Sequence, residues 1–212
     1  SVVSAIRKAM PNEDIVYLGD SAHLPYGTKP KAIIIGYAFE DVSILLAYQV
    51  KAIVIACHTV SAQAGAELIK EVDLPIVGMI QPVLNYMRKS RGTTTILATE
   101  STKDSGAYPY EVRACPSFVP LVEASLFSGN QVEEVVRVAT QGVKTDTIVL
   151  GCTHFAFLES AIRKQMPSSL VLEPSWLVAT ELKHILTKQD KLGQRKKGET
   201  KLLFTGRYNN EI

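Results

Sequence analysis

The sequence predicts an α/β protein made of two similar open α/β domains, with mostly parallel sheets and an active site in the cleft between them. Three observations support this fold class. Short β-branched apolar runs alternate with helical patterns along the chain, the two halves share an internal repeat, and 212 residues suffice for two small domains with their own cores.

Six apolar runs have the length and the β-branched content of parallel strands that are covered on both faces. In chain order they span residues 14–18, 52–56, 75–80, 94–98, 147–150 and 169–172. Helical patterns separate them, at residues 30–49, 61–72, 131–143, 155–166 and 175–188. The opening residues, SVVSAIRKAM, have the pattern of an amphipathic helix. A repeated β–α–β order predicts right-handed crossovers, but it leaves the strand order open.

The internal repeat joins a strand to a cysteine in each half. Residues 51–62 are KAIVIACHTVSA, and residues 146–157 are DTIVLGCTHFAF. Each segment is a buried strand followed by Cys57 or Cys152, then by threonine and histidine, then by a helix. Open α/β sheets bind ligands at the carboxyl ends of their strands, so both thiols are expected to face one crevice between the halves.

Composition excludes several classes of protein. The chain has 23 basic and 21 acidic residues and a net charge of +2, so no general attraction to nucleic acid or to an anionic membrane is expected. No apolar run approaches the roughly 20 residues of a membrane span. Three cysteines in a chain of this length do not suggest a disulfide framework. The sequence therefore indicates a cytoplasmic protein.

The position of the two cysteines suggests acid–base chemistry. Helix N-termini stabilise negative charge, so thiols there can have a pKa below the ordinary value of about 8.5. Two such thiols on opposite sides of one ligand carbon could remove a proton as thiolate and donate one as thiol. There are three alternatives: two structural cysteines, a zinc site formed with His58 and His154, or a disulfide. The spacing of Cys57 with His58 and of Cys152 with His154 fits poorly with the ligand spacing of structural zinc sites. Cys115 has no equivalent in the other half and is expected to be buried.

Other polar residues are candidates for the same site. His154 could share a proton with Cys152, or it could simply begin a helix. The turn that contains Tyr26 and Gly27 follows a predicted strand and could bind a carboxylate through backbone N–H groups. Thr102, Ser105 and Tyr108 lie at helical spacing in the segment TESTKDSGAY. They could line a polar pocket, or they could simply cap a helix.

Five segments in order resemble the bacterial glutamate racemases: LGDSAHLPYGTK, ACHTVSA, TESTKDSGAY, ACPSFVPLVE and LGCTHFAF. The resemblance extends from the start of the chain to about residue 186, and the closing segment KLLFTGRYNNEI is similar to the family's final strand and polar turn. It implies a cofactor-independent enzyme without a metal, which interconverts L- and D-glutamate for peptidoglycan synthesis. It also implies a homodimer and two domains, residues 1–78 with 187–212, and residues 79–186.

Residue roles follow from the matching motifs. Cys57 and Cys152 correspond to the family's acid–base pair, and Glu123 to a carboxylate that assists near the second cysteine. The family's substrate-contacting positions correspond to the Tyr-Gly, Asn-Thr and Thr-His pairs of its motifs. In this sequence they are Tyr26 and Gly27, His58 and Thr59, and Thr153 and His154.

The sequence departs from the family at three places. The family's first strand and its Asp-Ser-Gly turn would precede Ser1, and a longer helix and loop would precede Pro109, so we expect residues at both places. His58 stands where the family has Asn, which puts catalytic efficiency in doubt. Two alternatives stay open: a racemase for aspartate or another amino acid, and a binding or regulatory protein with weakened catalysis.

Overall fold

A computed structural model describes residues 1–206 of the chain. Its strands are β1 (Ile15–Gly19), β2 (Ile53–Ile55), β3 (Ile76–Gly78), β4 (Thr94–Ala98), β5 (Glu111–Ala114), β6 (Thr147–Gly151), β7 (Leu170–Leu172) and β8 (Thr200–Phe204). Its α-helices are α1 (Val2–Ala9), α2 (Lys31–Leu46), α3 (His58–Gln63), α4 (Gly65–Glu71), α5 (Ile80–Met87), α6 (Glu100–Asp104), α7 (Phe118–Glu123), α8 (Asn130–Ala139), α9 (Glu159–Gln165) and α10 (Ser175–Lys188). Short 3₁₀ helices occur at Ser21–His23, Tyr26–Thr28 and Thr153–Leu158.

All strand pairs of the described residues are parallel, which confirms the predicted fold class. The strands β4 to β7 form a four-stranded sheet of order β5-β4-β6-β7, called the second half below. The first half consists of the parallel pairs β1–β8 and β2–β3, so it includes the last strand of the chain. In the second half Ala98 lies opposite Gly151, so β4 and β6 end at the same edge. The segment that follows β6 therefore begins at the carboxyl edge of this sheet.

Helices cover both faces of the four-stranded sheet. On one side, a cluster from α7, α8, α9 and the Thr153–Leu158 helix packs around an edge-to-face contact between Phe118 and Phe155, whose ring centroids are 4.9 Å apart. On the other side, Val83 of α5 and Leu177 of α10 pack on Ile96 and Val149. Burial on both faces explains why β4 and β6 are apolar or β-branched along their length.

Two further apolar clusters surround the strands of the first half, and one of them is shared with α10. α1 packs on α10, and its buried residues Val2 and Ile6 meet Val178 and Leu182 there. The second cluster places Ile34 of α2 beside α4 and the pair β2–β3. These clusters hold α1 and α2 against the strands that precede the first cysteine.

Most predicted elements lie within one or two residues of their positions in the structure, and the differences have local causes. The helix predicted at 61–72 is interrupted at Ala64, where φ is −121°, and forms α3 and α4. The helix predicted at 155–166 begins as the 3₁₀ helix Thr153–Leu158 and continues as α9. The strand β5 was not predicted because it is a four-residue edge strand that contains two charged residues, Glu111 and Arg113.

The end of the chain is only partly described. The predicted final strand is present as β8, which pairs with β1. The polar turn predicted after it, at 207–212, lies outside the described residues. Among the helices of residues 1–206, none combines the length and the apolar character that crossing a membrane requires.

Candidate active site

Cys57 lies at the carboxyl end of β2 and is the N-cap residue of α3. The strand pattern ends at Ile55, and α3 begins at His58, so the cysteine occupies the turn between them. Backbone N–H groups of Thr59 and Val60 and the hydroxyl of Thr59 point toward its sulfur. The thiol is partly buried and free of any disulfide.

Cys152 occupies the equivalent position in the second half. It follows β6 directly and is the N-cap residue of the Thr153–Leu158 helix, with the N–H groups of His154 and Phe155 directed at its sulfur. The preceding Gly151 is required by close packing, because a Cβ atom there would lie 2.7 Å from Ile96 Cγ2 and from the Leu97 carbonyl oxygen. The repeat therefore places both thiols in the same structural setting.

One cavity of about 690 Å³ joins the two thiols. The predicted site residues that line it are Tyr26, Gly27, Cys57, Thr59, Glu123, Cys152, Thr153 and His154. His58 and Thr102 are buried and are not among its lining residues. The negative charge of a Cys57 thiolate would raise the pKa of Cys152, which indicates that the two sulfurs lie close enough to interact.

The expected lowering of the thiol pKa values is wrong for this structure. Burial raises the pKa of Cys57 above its ordinary value, although hydrogen bonds from the backbone of Val60 and Thr59 act against the shift. Burial and the charge of Cys57 raise the pKa of Cys152 to about 12. Burial destabilises the thiolate form more than the N–H groups at the helix N-terminus stabilise it. A cationic group beside either sulfur would favour the thiolate form.

A carboxylate–imidazole–thiol chain extends from α7 to Cys152. His154 Nε2 lies 2.5 Å from Glu123 Oε1, and His154 Nδ1 lies 3.8 Å from Cys152 Sγ. Glu123 ends α7, and His154 lies in the first turn after the cysteine, so two neighbouring elements on one side of the sheet supply the pair. The arrangement can orient the imidazole and stabilise it when it is protonated.

Asp20 organises the turn that contains Tyr26, although it was not singled out from the sequence. Its carboxylate accepts hydrogen bonds from the hydroxyls of Tyr26 and Thr205, and it lies 2.8 Å from His23 Nδ1. Burial acts to raise the pKa of Asp20, but these hydrogen bonds outweigh it, so the pKa lies below its ordinary value. Asp20 follows β1 directly, and that position at a strand end is the signal that could have identified it.

Three buried threonine hydroxyls meet where the two halves touch. Thr59 Oγ1 lies 3.0 Å from Thr99 Oγ1 and 3.3 Å from Thr102 Oγ1, and Thr99 also caps α6. Gly27 packs against the same place, since a Cβ atom there would lie 3.1 Å from Thr99. Thr102 therefore reaches the site through Thr59 and not through the cavity wall.

Ser105 and Tyr108 do not extend this polar cluster. Ser105 donates to the carbonyl of Thr102, which satisfies the end of α6. Tyr108 is buried in the apolar cluster of β4 and α5, and its hydroxyl has no hydrogen-bond partner among the described residues. The sequence left two interpretations of this segment open, a polar pocket and helix capping. Ser105 agrees with helix capping, and Tyr108 agrees with neither.

His58 has an unusual environment for a histidine. It is 1% exposed, and both ring nitrogens lack a hydrogen-bond partner within the described part of the chain. Burial lowers its pKa to about 3, so the ring is neutral near pH 7. His58 therefore adds bulk and no charge beside Cys57.

Cys115 is buried in the core, as expected, and burial raises its pKa to about 12. All three cysteines are free thiols. Within residues 1–206, no three His, Cys, Asp or Glu side chains come together in a group that could hold a metal ion.

Comparison with known proteins agrees with the resemblance seen in the motifs. The profile of the Asp/Glu/hydantoin racemase family matches residues 1–182. Glutamate racemase from Thermus thermophilus is 36% identical over 97% of this chain and 82% of its own length. Glutamate racemase from Aquifex aeolicus is 36% identical over 99% of this chain and 85% of its own length.

Solved structures give the same result. The Thermus thermophilus glutamate racemase in complex with β-chloro-D-alanine superposes with a TM-score of 0.92 at 36% identity, over 97% of this chain and 83% of that one. The Francisella tularensis glutamate racemase in complex with D-glutamate superposes with a TM-score of 0.91 at 28% identity, over 98% and 84%. By its profile, its relatives and its fold, the chain belongs to the Asp/Glu/hydantoin racemase family.

Proposed function

We propose that this chain interconverts L- and D-glutamate by proton transfer between Cys57, the substrate α-carbon and Cys152. The observation that carries the proposal is that both thiols follow a parallel strand, begin a helical turn and line one cavity. Curated relatives with about a third of their residues in common are glutamate racemases, which supports glutamate as the substrate.

The reaction needs one thiolate and one thiol at a time. The thiolate takes the α-proton as the Cα–H bond breaks, and the opposite thiol gives its proton to the other face of the same carbon. The product has the opposite configuration, and the two sulfurs have exchanged protonation states. The reverse reaction uses the same groups in exchanged roles, so no cofactor is needed to balance atoms or electrons.

Glu123 and His154 are proposed to serve the second thiol. His154 lies 3.8 Å from Cys152 Sγ and is held by Glu123 on its other ring nitrogen. A protonated imidazole there would stabilise the Cys152 thiolate against the burial that raises its pKa. Thr153, which separates Cys152 from His154 in the sequence, lines the cavity and is proposed to contact the substrate.

The substrate is proposed to lie against Tyr26, Gly27 and Thr59, which line the cavity from the side of Cys57. Thr102 supports the hydroxyl of Thr59 from the second half of the chain. His58 is proposed to act at the substrate site by setting the position of α3, because its ring is buried away from the cavity lining.

Isotope exchange tests the proposal. The full chain incubated with L-glutamate in D₂O should incorporate deuterium at the α-carbon and lose optical rotation. Cys57→Ser and Cys152→Ser should each lower kcat/KM by roughly 10²-fold or more in both directions, because each direction needs both groups. Cys115→Ala removes a cysteine that does not line the cavity, and it should retain more of the rate than either of these variants. A folded chain that neither exchanges nor racemises would overturn the proposal.

The same assay separates the alternatives. Turnover of a panel of L-amino acids, including aspartate, identifies the preferred substrate, and faster turnover of another amino acid would replace glutamate in the proposal. Glutamate binding without isotope exchange would favour a binding or regulatory role. We further propose that the chain forms a homodimer and supplies D-glutamate for peptidoglycan. A cytoplasmic location is proposed as well, and the three free thiols agree with a reducing compartment.

A further inference from the structure

Two aromatic contacts join α7 and the loop after it to the 3₁₀ helix that begins at Thr153. Phe118 and Phe155 meet edge to face in the core and are fully buried. Phe127 and Phe157 stack at the surface, with ring centroids 5.2 Å apart and an angle of 27° between the planes, and the two residues are 38% and 54% exposed. Burial of apolar area explains the first contact, but it explains much less of the second.

The geometry of this 3₁₀ helix determines which of its side chains face outward. A 3₁₀ helix has about three residues per turn, so side chains three positions apart lie on the same face. Phe155 and Leu158 form the buried face. His154 and Phe157 therefore share the outer face, and Phe157 lies one turn after the imidazole that approaches Cys152.

The chain leaves α7 by a Schellman turn, which fixes the loop directly after Glu123. The N–H of Leu126 donates to the carbonyl of Leu121, and Ser125 between them has the left-handed φ of 57° that this motif needs. Phe127 follows the turn and stacks on the outer face of the 3₁₀ helix. The loop therefore leads from the carboxylate of the site to the ring stack within four residues.

Two cross-links thus lie side by side between the same two elements. Glu123 Oε1 lies 2.5 Å from His154 Nε2, and a few positions further along each element Phe127 stacks on Phe157. The side chains of His154 and Glu123 are 28% and 44% exposed, and a polar pair that is open to water contributes little on its own. The adjacent ring stack restrains the same helix face without adding a charge.

We propose that Phe127 and Phe157 are positioning residues, whose stack holds the imidazole of His154 in place. The proposal rests on the proposed role of His154 at the second thiol. Neither aromatic ring lines the cavity, so their effect on the reaction would pass through the imidazole. Without the stack, the helix face would move and the 3.8 Å contact between His154 Nδ1 and Cys152 Sγ would open.

The ring proton of His154 gives a test that needs no racemisation. A carboxylate only accepts hydrogen bonds, so the nitrogen that faces Glu123 carries the hydrogen. Its NMR signal is visible while exchange with water is slow, and its loss in His154→Asn identifies it. Phe157→Leu keeps an apolar side chain and removes the aromatic ring, so this proton should exchange roughly fivefold faster or more. Phe157→Tyr keeps the aromatic ring and should exchange as the parent chain does.

Racemisation kinetics test the same path by a second measurement. Phe157→Leu should lower kcat/KM for glutamate by roughly three- to tenfold, and Phe157→Tyr should recover most of the loss. In a Glu123→Gln background, Phe157→Leu should lower kcat/KM by less than about twofold, because the imidazole has already lost its charged partner. A general structural role would lower the rate by the same factor in both backgrounds and would overturn the proposal.

Trp176→Leu is the matched control. Trp176 is 47% exposed and meets Tyr86 edge to face with ring centroids 5.6 Å apart, and neither residue lines the cavity. Trp176→Leu therefore removes a surface aromatic contact on another face of the fold. It should change neither the ring proton of His154 nor the rate of racemisation.

Three results would contradict the positioning role. One is an unchanged ring proton in Phe157→Leu, and another is a parent chain without that signal, because no persistent bond between His154 and Glu123 would then exist. The third is a change that occurs only when sedimentation shows a dimer dissociating, since the rings would then form an interface between two copies. If the parent chain incorporates no deuterium into glutamate, the proposed reaction fails, and the ring proton alone decides whether the stack positions the imidazole.

Discussion

The side-chain amide of Gln63 donates to both the carbonyl oxygen and the hydroxyl of Ser101, at 2.8 Å and 3.0 Å. Gln63 ends α3 and Ser101 lies in α6, so this pair connects the helix that begins after Cys57 to the second half of the chain. Both residues are buried, which makes the hydrogen bonds costly to lose. The pair fixes α3 beside the threonine cluster of Thr59, Thr99 and Thr102.

Gln63→Ala should therefore weaken both folding and catalysis. Removing the amide leaves the buried Ser101 hydroxyl without this donor and leaves the Ser101 carbonyl with its bond from the Ser105 N–H, so the free energy of unfolding should fall by about 1–3 kcal/mol. Because α3 also positions Cys57, kcat/KM should fall as well. Urea titration and racemisation assays measure the two effects. Gln81→Ala is the control, since Gln81 makes an exposed hydrogen bond to Asn85 and its loss should change stability by less than about 0.5 kcal/mol.

Alanine substitutions at Gly151 and Gly36 should change the stability of the fold in opposite directions. A Cβ atom at Gly151 would lie 2.7 Å from two atoms of β4, so Gly151→Ala should destabilise the chain by about 1–3 kcal/mol and displace Cys152. Gly36 lies within α2 with no atom near its Cβ position, so Gly36→Ala should stabilise by about 0.5–1 kcal/mol. Thermal unfolding of both variants checks the prediction. A stable Gly151→Ala chain with full activity would contradict the packing argument.

Local pattern predicted the thiol positions well, because each cysteine depends only on the strand before it and the turn after it. The contacts that complete the site could not be predicted this way. Asp20 accepts a hydrogen bond from Thr205, which is 185 positions away and comes close only because β8 pairs with β1. Thr59 and Thr99 meet across the two halves for a similar reason, which depends on packing that no sequence period encodes.

The thiol pKa values show a second limit of sequence reasoning. A helix N-terminus is visible in the pattern, and it does direct N–H groups at both sulfurs. Burial is set by the surrounding clusters, and it outweighs those groups in this structure. The sign of the shift therefore depended on a tertiary quantity that the motif around Cys57 or Cys152 does not contain.

His58 should make stability depend on pH. Its folded pKa, about 3, lies below the ordinary value of 6.5, so between these values the unfolded chain binds more protons than the folded chain. Stability is therefore fully present above pH 6.5 and is lost as the pH falls, by up to about 1.4 kcal/mol per pH unit.

Urea titrations at pH 7.5 and pH 5.5 measure this dependence. His58→Asn should reduce the pH dependence of the unfolding free energy relative to the parent chain, because Asn does not titrate. His184→Asn, which removes an exposed histidine of α10, is the matched control. Identical pH slopes for the parent chain and His58→Asn would show that the ring takes up its proton without unfolding.

Glu123→Gln should slow racemisation through His154. The carboxylate lies 2.5 Å from His154 Nε2 and is the charged partner that orients the ring, whose Nδ1 lies 3.8 Å from Cys152 Sγ. Gln keeps the shape and removes the charge, so kcat/KM should fall by roughly tenfold or more. Because the two enantiomers are equal in free energy, kcat/KM must fall by the same factor in both directions.

Circular dichroism of each enantiomer over time measures both rates. A role through protonation also predicts a shifted pH–rate profile for Glu123→Gln, which a purely structural role would not produce. Glu134→Gln is the matched control, because Glu134 forms an exposed pair with Arg137 on α8 away from the cavity. An unchanged rate and pH profile in Glu123→Gln would mean that His154 serves Cys152 without its carboxylate partner, or does not serve it at all.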